Sequence, residues 1–288
     1  MAKIAVIGPG AVGSCVIAWL MQNPSHSLVV AARSPLTDIE VQTPDRVLRV
    51  DPQVINQAEP VSSVDWVLVA TKAYDAARAA AWLPSLSNSA TILAVLQNGV
   101  EHVERFAPYF PRDRILPVMV DIPAERPVPG RVLQRRNGCM IVAEGEEGAR
   151  FAELFAHTPI DVTQSNDFKS VVWRKLCVNA AGALSAVLMK PAVIARHDGI
   201  ARIMESIIRE CIAVGRAEGA TLDDSIVSNV IEGYKRTPDA INSIHADRMA
   251  GRQMEIDARN GVIVRLGRKH GIPTPVNEMV VAMLEASA

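Results

Sequence analysis

Short apolar runs alternate with helix-like stretches along the first half of the chain. The apolar runs, which are rich in valine and isoleucine and lack strict polar alternation, are residues 3–7, 28–32, 66–70 and 91–96. The intervening segments with a helical pattern are residues 14–21 and 75–82. Strands that are apolar on both faces and alternate with helices indicate right-handed crossovers and a parallel sheet. The first half is therefore predicted to be doubly wound.

The pattern changes in the middle of the chain. Residues 115–142 form short segments separated by prolines and a glycine, without a helical period, and we expect further strands at the edge of the same sheet. From residue 165 onward the pattern is helical, with long segments at residues 168–189, 200–218, 225–234 and 240–270. The last segment is expected to end at His270, because Gly271 and Pro273 follow it.

These patterns predict two domains with different architectures. A chain of 288 residues exceeds the usual size of one domain, and each half is long enough to bury its own core. We expect an α/β domain at residues 1–164, with a doubly wound parallel sheet, and an all-α domain at residues 165–288.

Composition excludes several kinds of partner. The chain is 49% hydrophobic and 21% charged, and its net charge of −1 argues against nucleic acid binding. It begins Met1-Ala2-Lys3 and enters a short apolar run without the regions of a secretory signal, so a cytoplasmic protein is expected. The longest apolar run, residues 176–189, is too short to cross a membrane and predicts a buried helix.

The cysteines predict neither a disulfide framework nor a metal site. Cys15, Cys139, Cys177 and Cys211 are far apart and form no C-x-x-C pair. We therefore expect reduced, buried thiols and no metal.

A glycine motif follows the first predicted strand. The segment Gly8-Pro9-Gly10-Ala11-Val12-Gly13 fits G-x-G-x-x-G, and it lies between an apolar strand and a credible helix. In that context the first glycine makes the turn, the second lets the backbone approach a pyrophosphate, and the third allows close helix packing. The motif predicts a Rossmann-type domain that binds a dinucleotide, although glycines also occur in bare strand-to-helix turns.

The end of the second predicted strand indicates which dinucleotide is bound. An NAD enzyme usually has an acidic residue there, whereas this chain has Arg33-Ser34. A guanidinium group suits the 2′-phosphate of NADP, because it forms paired, charge-assisted hydrogen bonds with phosphate oxygens. The alternative is an ordinary solvated surface arginine.

Two further polar clusters follow predicted strands, at the edge where open α/β sheets bind ligands. Thr71-Lys72 follows one strand, and Gln97-Asn98-Gly99 follows another. We expect Lys72 to contact the cofactor, although surface lysines are about as common.

The helical half contains two polar stretches that, by themselves, admit ordinary explanations. Lys175 and Asn179 are four residues apart and lie on one helix face, where a snorkelling lysine and a packing amide are the alternatives to catalysis. Residues 242–261 are rich in charge, as in a solvated helix face with a pair such as Glu255 and Arg259.

Taken together, these motifs resemble the ketopantoate reductase family, the NADPH-dependent enzymes that reduce 2-dehydropantoate to (R)-pantoate in pantothenate biosynthesis. The matching blocks recur in family order along nearly the whole chain: G-P-G-A-V-G at residues 8–13, A-T-K-A at 70–73, Q-N-G at 97–99, W-R-K-L-C-V-N at 173–179, and the block from Ser243 to Gly261 with E-I-D and N-G. The blocks at 173–179 and 255–261 are far more specific than the glycine motif.

The resemblance implies a role for each candidate residue. NADP(H) would be held by Gly8, Pro9, Gly10, Ala11, Val12, Gly13, Arg33, Lys72 and Asn98. Lys175 would be the general acid, and Glu255 would position Lys175 or the substrate in a crevice between the domains. Asn98, Asn179 and Ser243 would contact the 2-oxo acid and the nicotinamide. The sequence does not decide whether the protein forms a homodimer.

The chain departs from the family pattern at two asparagine positions and in one further segment. The family motif N-x-x-x-N-P-L-T-A is replaced by a run with Asn179 but with alanine at position 183, and Lys190-Pro191-Ala192-Val193 stands where a substrate-binding asparagine is usual. Val118 to Pro123 also replaces smaller and hydroxylated residues. Two alternatives therefore remain: a reductase of the same family that acts on another 2-oxo acid, and a non-catalytic NADP(H) sensor.

Overall fold

The structure, a computed structural model, describes residues 2–57 and 62–287 and divides into two compact units, Met1–Phe168 and Lys169–Ala288. The strands of the first unit are β1 (Lys3–Ile7), β2 (Ser27–Ala31), β3 (Ile39–Gln42), β4 (Val47–Val50), β5 (Gln53–Ile55), β6 (Trp66–Val69), β7 (Ile92–Val95), β8 (Ile115–Asp121), β9 (Ala124–Val128), β10 (Arg131–Gln134), β11 (Cys139–Ala143) and β12 (Asp161–Ser165). Its helices are α1 (Ala11–Leu20), α2 (Ala76–Ala80), α3 (Leu83–Leu86), α4 (His102–Phe106) and α5 (Glu146–Leu154).

The main sheet has eight strands in the order β12-β11-β8-β7-β6-β1-β2-β5. All neighbours pair in parallel except β8 and β11. From β1 the chain builds outward to β2 and β5, then returns to the other side of β1 at β6 and continues to β7 and β8. The carboxyl end of β1 is therefore the switch point at which doubly wound sheets bind ligands.

Both faces of this sheet are covered, which explains the continuous apolar runs. Ile4 and Val6 of β1 belong to one buried core with residues of α1, whereas Ala5 and Ile7 belong to a second core with residues of α3 and α4. Because successive side chains of a strand point to opposite faces, a strand covered on both sides has no polar positions to alternate. The predicted doubly wound parallel sheet is confirmed.

The expectation that residues 115–142 all extend the main sheet is wrong. Strands β8 and β11 do so, but β9 and β10 join β3 and β4 in a separate four-stranded sheet with the order β4-β3-β10-β9. This small sheet packs over α1, whose residues Gly13 to Leu20 are all buried. A helix that is apolar all round needs cover on two sides. Trp19 of α1 reaches the small sheet, where its Nε1 donates to Gln134 Oε1 at 2.9 Å.

The described residues of the second unit form helices and their connections, without a strand. Its helices are α6 (Phe168–Ala181), α7 (Ala183–Leu188), α8 (Asp198–Ala217), α9 (Ser225–Arg236), α10 (Ser243–Met249), α11 (Val262–His270) and α12 (Pro275–Glu285). The predicted single helix over residues 240–270 is wrong, because α10 and α11 are separated by a non-helical segment and a π-helical turn, Asp257–Gly261. The predicted end at His270 is confirmed, since Gly271 takes the left-handed conformation there (φ 67°).

The apolar stretch that opens this unit is longer than the sequence analysis inferred. Among the described residues, Phe168–Leu188 has the length and mean hydropathy (1.3) of a membrane-spanning helix. However, 61% of the 18-residue window that has this mean hydropathy is buried inside the protein, as in a core helix. Cys177 of this stretch lies 3.5 Å from Cys211 of α8, measured between the sulfur atoms, and both thiols are free and buried. Cys139 is free but only half-buried, so the prediction that all four thiols are buried is wrong there.

Candidate active site

The glycine loop begins with a backbone conformation that favours glycine. Gly8 follows β1 with φ at +94°, and a Cβ atom there would stand 2.6 Å from Thr71 Cγ2. Its amide donates to the carbonyl of Ala31 at 3.2 Å, which ties the loop to the end of β2. The first glycine of the motif therefore makes the turn that the sequence predicts.

The other two glycines serve different purposes. A Cβ at Gly13 would stand 2.2 Å from the Gly8 carbonyl oxygen, so only glycine lets α1 approach the loop this closely. A Cβ at Gly10 would meet nothing nearer than the Ala70 carbonyl oxygen at 4.0 Å. The space beside Gly10 is thus open in the protein itself. Pro9, Ala11 and Val12 complete the half-buried loop.

Arg33 follows the carboxyl end of β2 and is ion-paired. Its side chain is 65% exposed, and Nη2 lies 3.4 Å from Oδ2 of Asp75. Asp75 ends the short 3-10 turn after β6, so the carboxylate that the sequence lacks at the end of β2 is supplied from another strand connection. An arginine with an exposed guanidinium can still bind an anion from solvent.

The two polar clusters after β6 and β7 are joined by one buried amide. Gln97 Nε2 donates to Thr71 Oγ1 at 3.0 Å and to the carbonyl of Lys72 at 3.2 Å. The next carbonyl, that of Asn98, accepts from Arg105 Nη1 at 2.9 Å. Lys72 and Asn98 are half-buried. The structure therefore brings these two predicted cofactor residues to the same edge of the sheet.

In the second unit, α6 carries Lys175 and Asn179 on one face. Both are half-buried, whereas the neighbouring Trp173, Leu176 and Cys177 are buried in the core. The helix is thus fixed by its apolar face, and the two polar side chains lie at the margin of that packing.

Three side chains from distant segments donate to backbone carbonyls at the end of α6. Tyr234 Oη donates to Val178 at 3.0 Å, Asn260 Nδ2 to Ala180 at 3.2 Å, and Asn242 Nδ2 to Gly182 at 2.8 Å. The last four carbonyls of a helix lack partners within the helix, and these bonds supply partners for carbonyls in this region. They hold the helix end that carries Asn179 against the segment that carries Glu255.

Glu255 and Arg259 are not on a solvated helix face. Glu255 is 5% exposed and Arg259 is 3% exposed, so the ordinary surface pair considered from the sequence is wrong. Burial lowers the pKa of the Arg259 guanidinium, while the negative charges of Glu255 and Asp247 act in the opposite direction. Within the described residues, Arg259 Nε and Nη1 have no hydrogen-bond partner. A buried cation in these surroundings is costly.

The π-helical turn Asp257–Gly261 directly follows Glu255. Asn260 is completely buried in it, and its Nδ2 also donates to Asn277 Oδ1 at 2.9 Å. Asn277 Nδ2 in turn donates to Glu210 Oε2 at 2.6 Å. This chain of bonds connects the turn to α12 and α8. Such turns are often found at functional sites.

Ser243 is the first residue of α10 and is exposed. The side chain of Asn242 caps this helix by accepting from the amide of His245 at 3.1 Å. His245 is 2% exposed, and among the described residues neither ring nitrogen has a partner. Burial and the positive charge of Arg248 lower the pKa of His245. The ring is therefore neutral near neutral pH.

Sequence reasoning missed several residues of these clusters. Asp75, Tyr234, Asn242 and Arg259 were given no role in the site. Asn242 carries a signal that could have been read, because asparagine before a helix is a favoured N-cap. Arg259 carries none, since a charged residue in a helical pattern is usually exposed.

These features can perform two chemical tasks. In the first unit, an open glycine loop at the switch point, an exposed arginine and a joined polar edge fit a dinucleotide with its phosphates at the loop. In the second unit, a lysine lies on a helix whose end is pinned to the segment carrying a buried carboxylate. That set can hold a polar substrate and deliver a proton.

The matching family models are both of ketopantoate reductases. The model described as ketopantoate reductase PanE/ApbA matches residues 4–147, and the C-terminal model of the same family matches residues 167–288. Together they cover most of both units.

Curated relatives match along the full chain. The 2-dehydropantoate 2-reductase of Caulobacter vibrioides is 52% identical over 289 residues, which cover 100% of each chain. That of Mycobacterium tuberculosis (strain H37Rv) is 36% identical over 288 residues, which cover 99% of this chain and 97% of the relative.

Solved structures with the same fold include a PanE/ApbA family ketopantoate reductase from Ralstonia eutropha JMP134. It has a TM-score of 0.91 and 29% identity, and the match covers 99% of this chain and 98% of the other. A D-mandelate dehydrogenase in complex with NADH and anilino(oxo)acetate has a TM-score of 0.90 at 22% identity, over 99% and 97% of the two chains. At that identity the second match shows a shared fold only.

Proposed function

The chain belongs to the ketopantoate reductase family, and from that membership we propose that it reduces 2-dehydropantoate to (R)-pantoate with NADPH, a step of pantothenate biosynthesis. It is an oxidoreductase that acts on CH–OH groups and uses a pyridine nucleotide. The use of NADPH rather than NADH, and the roles of individual residues, are parts of this proposal.

One packing relationship carries the assignment of the catalytic residues. Asn260, in the turn after Glu255, donates to the carbonyl of Ala180, which directly follows Asn179. The two most specific sequence blocks, 76 residues apart when counted from Asn179 to Glu255, therefore meet at the end of one helix. A purely structural contact would not require a half-buried lysine and a buried carboxylate in the same two blocks.

The first unit would bind the cofactor. Gly8 and Gly13 shape the loop, and the open space at Gly10 admits the pyrophosphate close to backbone amides at the start of α1. Arg33 would bind the 2′-phosphate, since its guanidinium is exposed at the end of β2. Lys72 and Asn98, on the same edge, would contact the nicotinamide end. When bound, the cofactor supplies the hydride for the C2 carbonyl carbon.

Lys175 would act as the general acid. Negative charge develops on the carbonyl oxygen as the carbon accepts the hydride, and an ammonium group at that oxygen can donate a proton to it. A positioned acid of this kind typically contributes about a hundred- to ten-thousand-fold to the rate. Lys175 meets the requirement of a fixed position because α6 is anchored by its buried apolar face and by its pinned end.

Glu255 would hold the Lys175 ammonium or a substrate hydroxyl in place. A nearby carboxylate favours the protonated form of a lysine, which is the form that an acid catalyst needs. Asn98, Asn179 and Ser243 would supply polar contacts to the substrate. Each retains a half-buried or exposed side chain in the structure.

The two departures from the family pattern support a second candidate, a reductase of the same family that acts on a less polar 2-oxo acid. Ala183, which replaces the second asparagine of the motif, is completely buried, and none of residues 190–193 is an asparagine. Neither position can offer the amide that a substrate hydroxyl would bind. A pocket built around a hydroxyl discriminates strongly through such groups, so their loss favours a substrate without one.

The experiment that decides between these functions is NADPH oxidation by the purified protein with 2-dehydropantoate and with 3,3-dimethyl-2-oxobutanoate, which differs from it only in lacking the terminal hydroxyl. We expect kcat/KM to be higher for 2-dehydropantoate, and Lys175→Ala to lower kcat strongly with both. A higher kcat/KM for the hydroxyl-free acid would instead identify the second candidate. Tight NADPH binding without oxidation with either acid would contradict both candidates and indicate a sensor.

A further inference from the structure

Two arginines converge on one carboxylate at the switch point of the main sheet. Asp75 Oδ2 lies 3.4 Å from Arg33 Nη2, and its other oxygen, Oδ1, lies 3.0 Å from Arg78 Nη1 of α2. Both guanidinium groups are therefore held next to the same small group. The sequence gives no indication of this arrangement, because Arg33 and Arg78 are 45 residues apart.

The position of this cluster follows from the strand order. Arg33 comes after β2 and Asp75 comes after β6, and these strands are the two neighbours of β1. The pair thus spans the carboxyl end of β1, from which the glycine loop emerges. A dinucleotide bound at this loop places its adenosine ribose near the end of β2.

The exposure of the three side chains is unequal. Asp75 is 12% exposed, whereas Arg33 and Arg78 are 65% and 72% exposed. The carboxylate is therefore the fixed member, and both guanidinium groups face solvent. Exposed ion pairs contribute little free energy, so either arginine can leave Asp75 for a stronger anion at small cost.

The charge of the cluster favours a phosphate. Two guanidinium groups and one carboxylate leave an excess of one positive charge. A phosphate monoester carries about 1.5 to 2 negative charges and three acceptor oxygens at neutral pH, more than one arginine can neutralise. Two guanidinium groups offer enough donors for those oxygens, and charge-assisted bonds of this kind are the strong ones.

We propose that Arg78 is a second specificity residue for the 2′-phosphate of NADPH and that it binds this phosphate together with Arg33. This inference rests on the proposed use of NADPH. Arg78 belongs to α2, one turn after Asp75, and its ion pair holds it at the carboxylate that Arg33 also contacts. NADH lacks the 2′-phosphate, and it therefore gains nothing from Arg78.

The test is equilibrium binding of NADPH and NADH, measured by fluorescence titration of the wild type, Arg33→Ala, Arg78→Ala and Arg78→Lys. We expect Arg78→Ala to raise the Kd for NADPH about three- to thirtyfold and to leave the Kd for NADH within about twofold. Arg78→Lys keeps the charge but loses the planar fork, and it should fall between the wild type and Arg78→Ala.

Arg112→Ala is the matched control. Arg112 is also an exposed arginine of the first unit in an ion pair, 3.2 Å from Glu104, but it precedes β8 at the opposite edge of the parallel strands. It should change neither Kd. Competition by 2′,5′-ADP against 5′-AMP on the same variants reports the 2′-phosphate alone, without any contribution from the nicotinamide.

The outcomes separate this inference from the proposed function. If Arg33→Ala weakens NADPH selectively while Arg78→Ala changes nothing, or changes both cofactors equally, the role of Arg78 is overturned and the use of NADPH stands. If the wild type binds NADPH and NADH with equal affinity, the use of NADPH itself fails, and the role of Arg78 fails with it.

Discussion

The guanidinium of Arg259 and the carboxylate of Glu255 are buried together, and the charge of Glu255 offsets part of the cost of burying Arg259. They lie four residues apart in the segment that precedes α11. An exposed ion pair contributes little to the free energy of folding. Removing one member of a buried pair is costly, because the other charge stays buried without its partner. This coupling is measurable without any knowledge of the substrate.

We predict that Glu255→Gln and Arg259→Met each destabilise the protein and that the double variant is destabilised by less than their sum. Each single change deprives a buried charge of one partner, whereas the double change removes both members of the pair. The coupling should be about 0.5 to 3 kcal/mol in a double-mutant cycle followed by urea unfolding. Arg268→Met, which removes an exposed arginine paired with Glu278, should be additive with Glu255→Gln. Additivity of Glu255→Gln with Arg259→Met would mean that the two charges do not interact.

The lysine prediction separates chemistry from cofactor binding. Lys175→Ala should lower kcat by about a hundred- to ten-thousand-fold and leave the Kd for NADPH unchanged, because the ammonium is assigned to the substrate oxygen. Lys169→Ala is the control on the same helix, since Lys169 is exposed and donates to the Glu218 carbonyl at 2.8 Å. It should retain full activity. Turnover by Lys175→Ala at the wild-type rate would require another proton donor.

Two glycines of one motif should respond in opposite ways to the same substitution. Gly13→Ala places a Cβ 2.2 Å from a backbone oxygen, so we expect it to lower the free energy of unfolding by about 1 to 3 kcal/mol. Gly10→Ala meets no atom closer than 4.0 Å and should leave the melting temperature unchanged. It should nevertheless raise the Kd for NADPH about tenfold or more, since its methyl group would occupy the approach of the pyrophosphate. Unchanged NADPH binding by Gly10→Ala would mean that the pyrophosphate does not bind at this loop.

His245 should contribute to the loss of folding stability at acidic pH. Its pKa is lowered in the folded protein by burial and by Arg248, so the unfolded chain binds more protons once the pH falls below the ordinary histidine value of about 6.5. Stability therefore falls as the pH decreases through that value. His245→Leu removes this proton uptake and should flatten the dependence of unfolding free energy on pH between about 6.5 and 5. An identical slope in the wild type and the variant would exclude His245 as a source of acid sensitivity.

The main sheet could be predicted from the sequence because the signal for each of its strands lies within a short segment. Each strand such as β1 or β7 is apolar on both faces, and this pattern is visible within a few residues. The small second sheet was missed because its evidence is long range. Strand β10 pairs with β3, about 90 residues earlier, and the residues of β9 are mostly exposed. Only the fully apolar surface of α1 indicated that a second cover was needed.

The candidate-site residues that belong to sequence motifs could be predicted. Those that join the site only through ion pairs in the folded chain could not. The glycine loop and Lys72 were named from their places after predicted strands, whereas Asn98, Lys175 and Glu255 were named from the family resemblance, and their roles stay predictions. The partners Asp75 and Arg78 were not named, because Asp75 contacts Arg33 only through the strand order of the folded sheet, and Arg78 is linked to Arg33 only by its ion pair with Asp75. The break before the π-helical turn was also missed, since Arg252 and Glu255 suggest a solvated helix, whereas in the structure Arg252 is exposed and Glu255 is buried.

The most direct test of the central claim is isotope transfer from NADPH dideuterated at C4 of its nicotinamide ring to 2-dehydropantoate. The product is collected from the wild type and from Lys175→Ala and is analysed by mass spectrometry. Our account predicts pantoate with one deuterium at C2 from the wild type and a strongly reduced yield of the same labelled product from Lys175→Ala. Pantoate without deuterium, or no pantoate from a wild-type protein that binds NADPH, would contradict it.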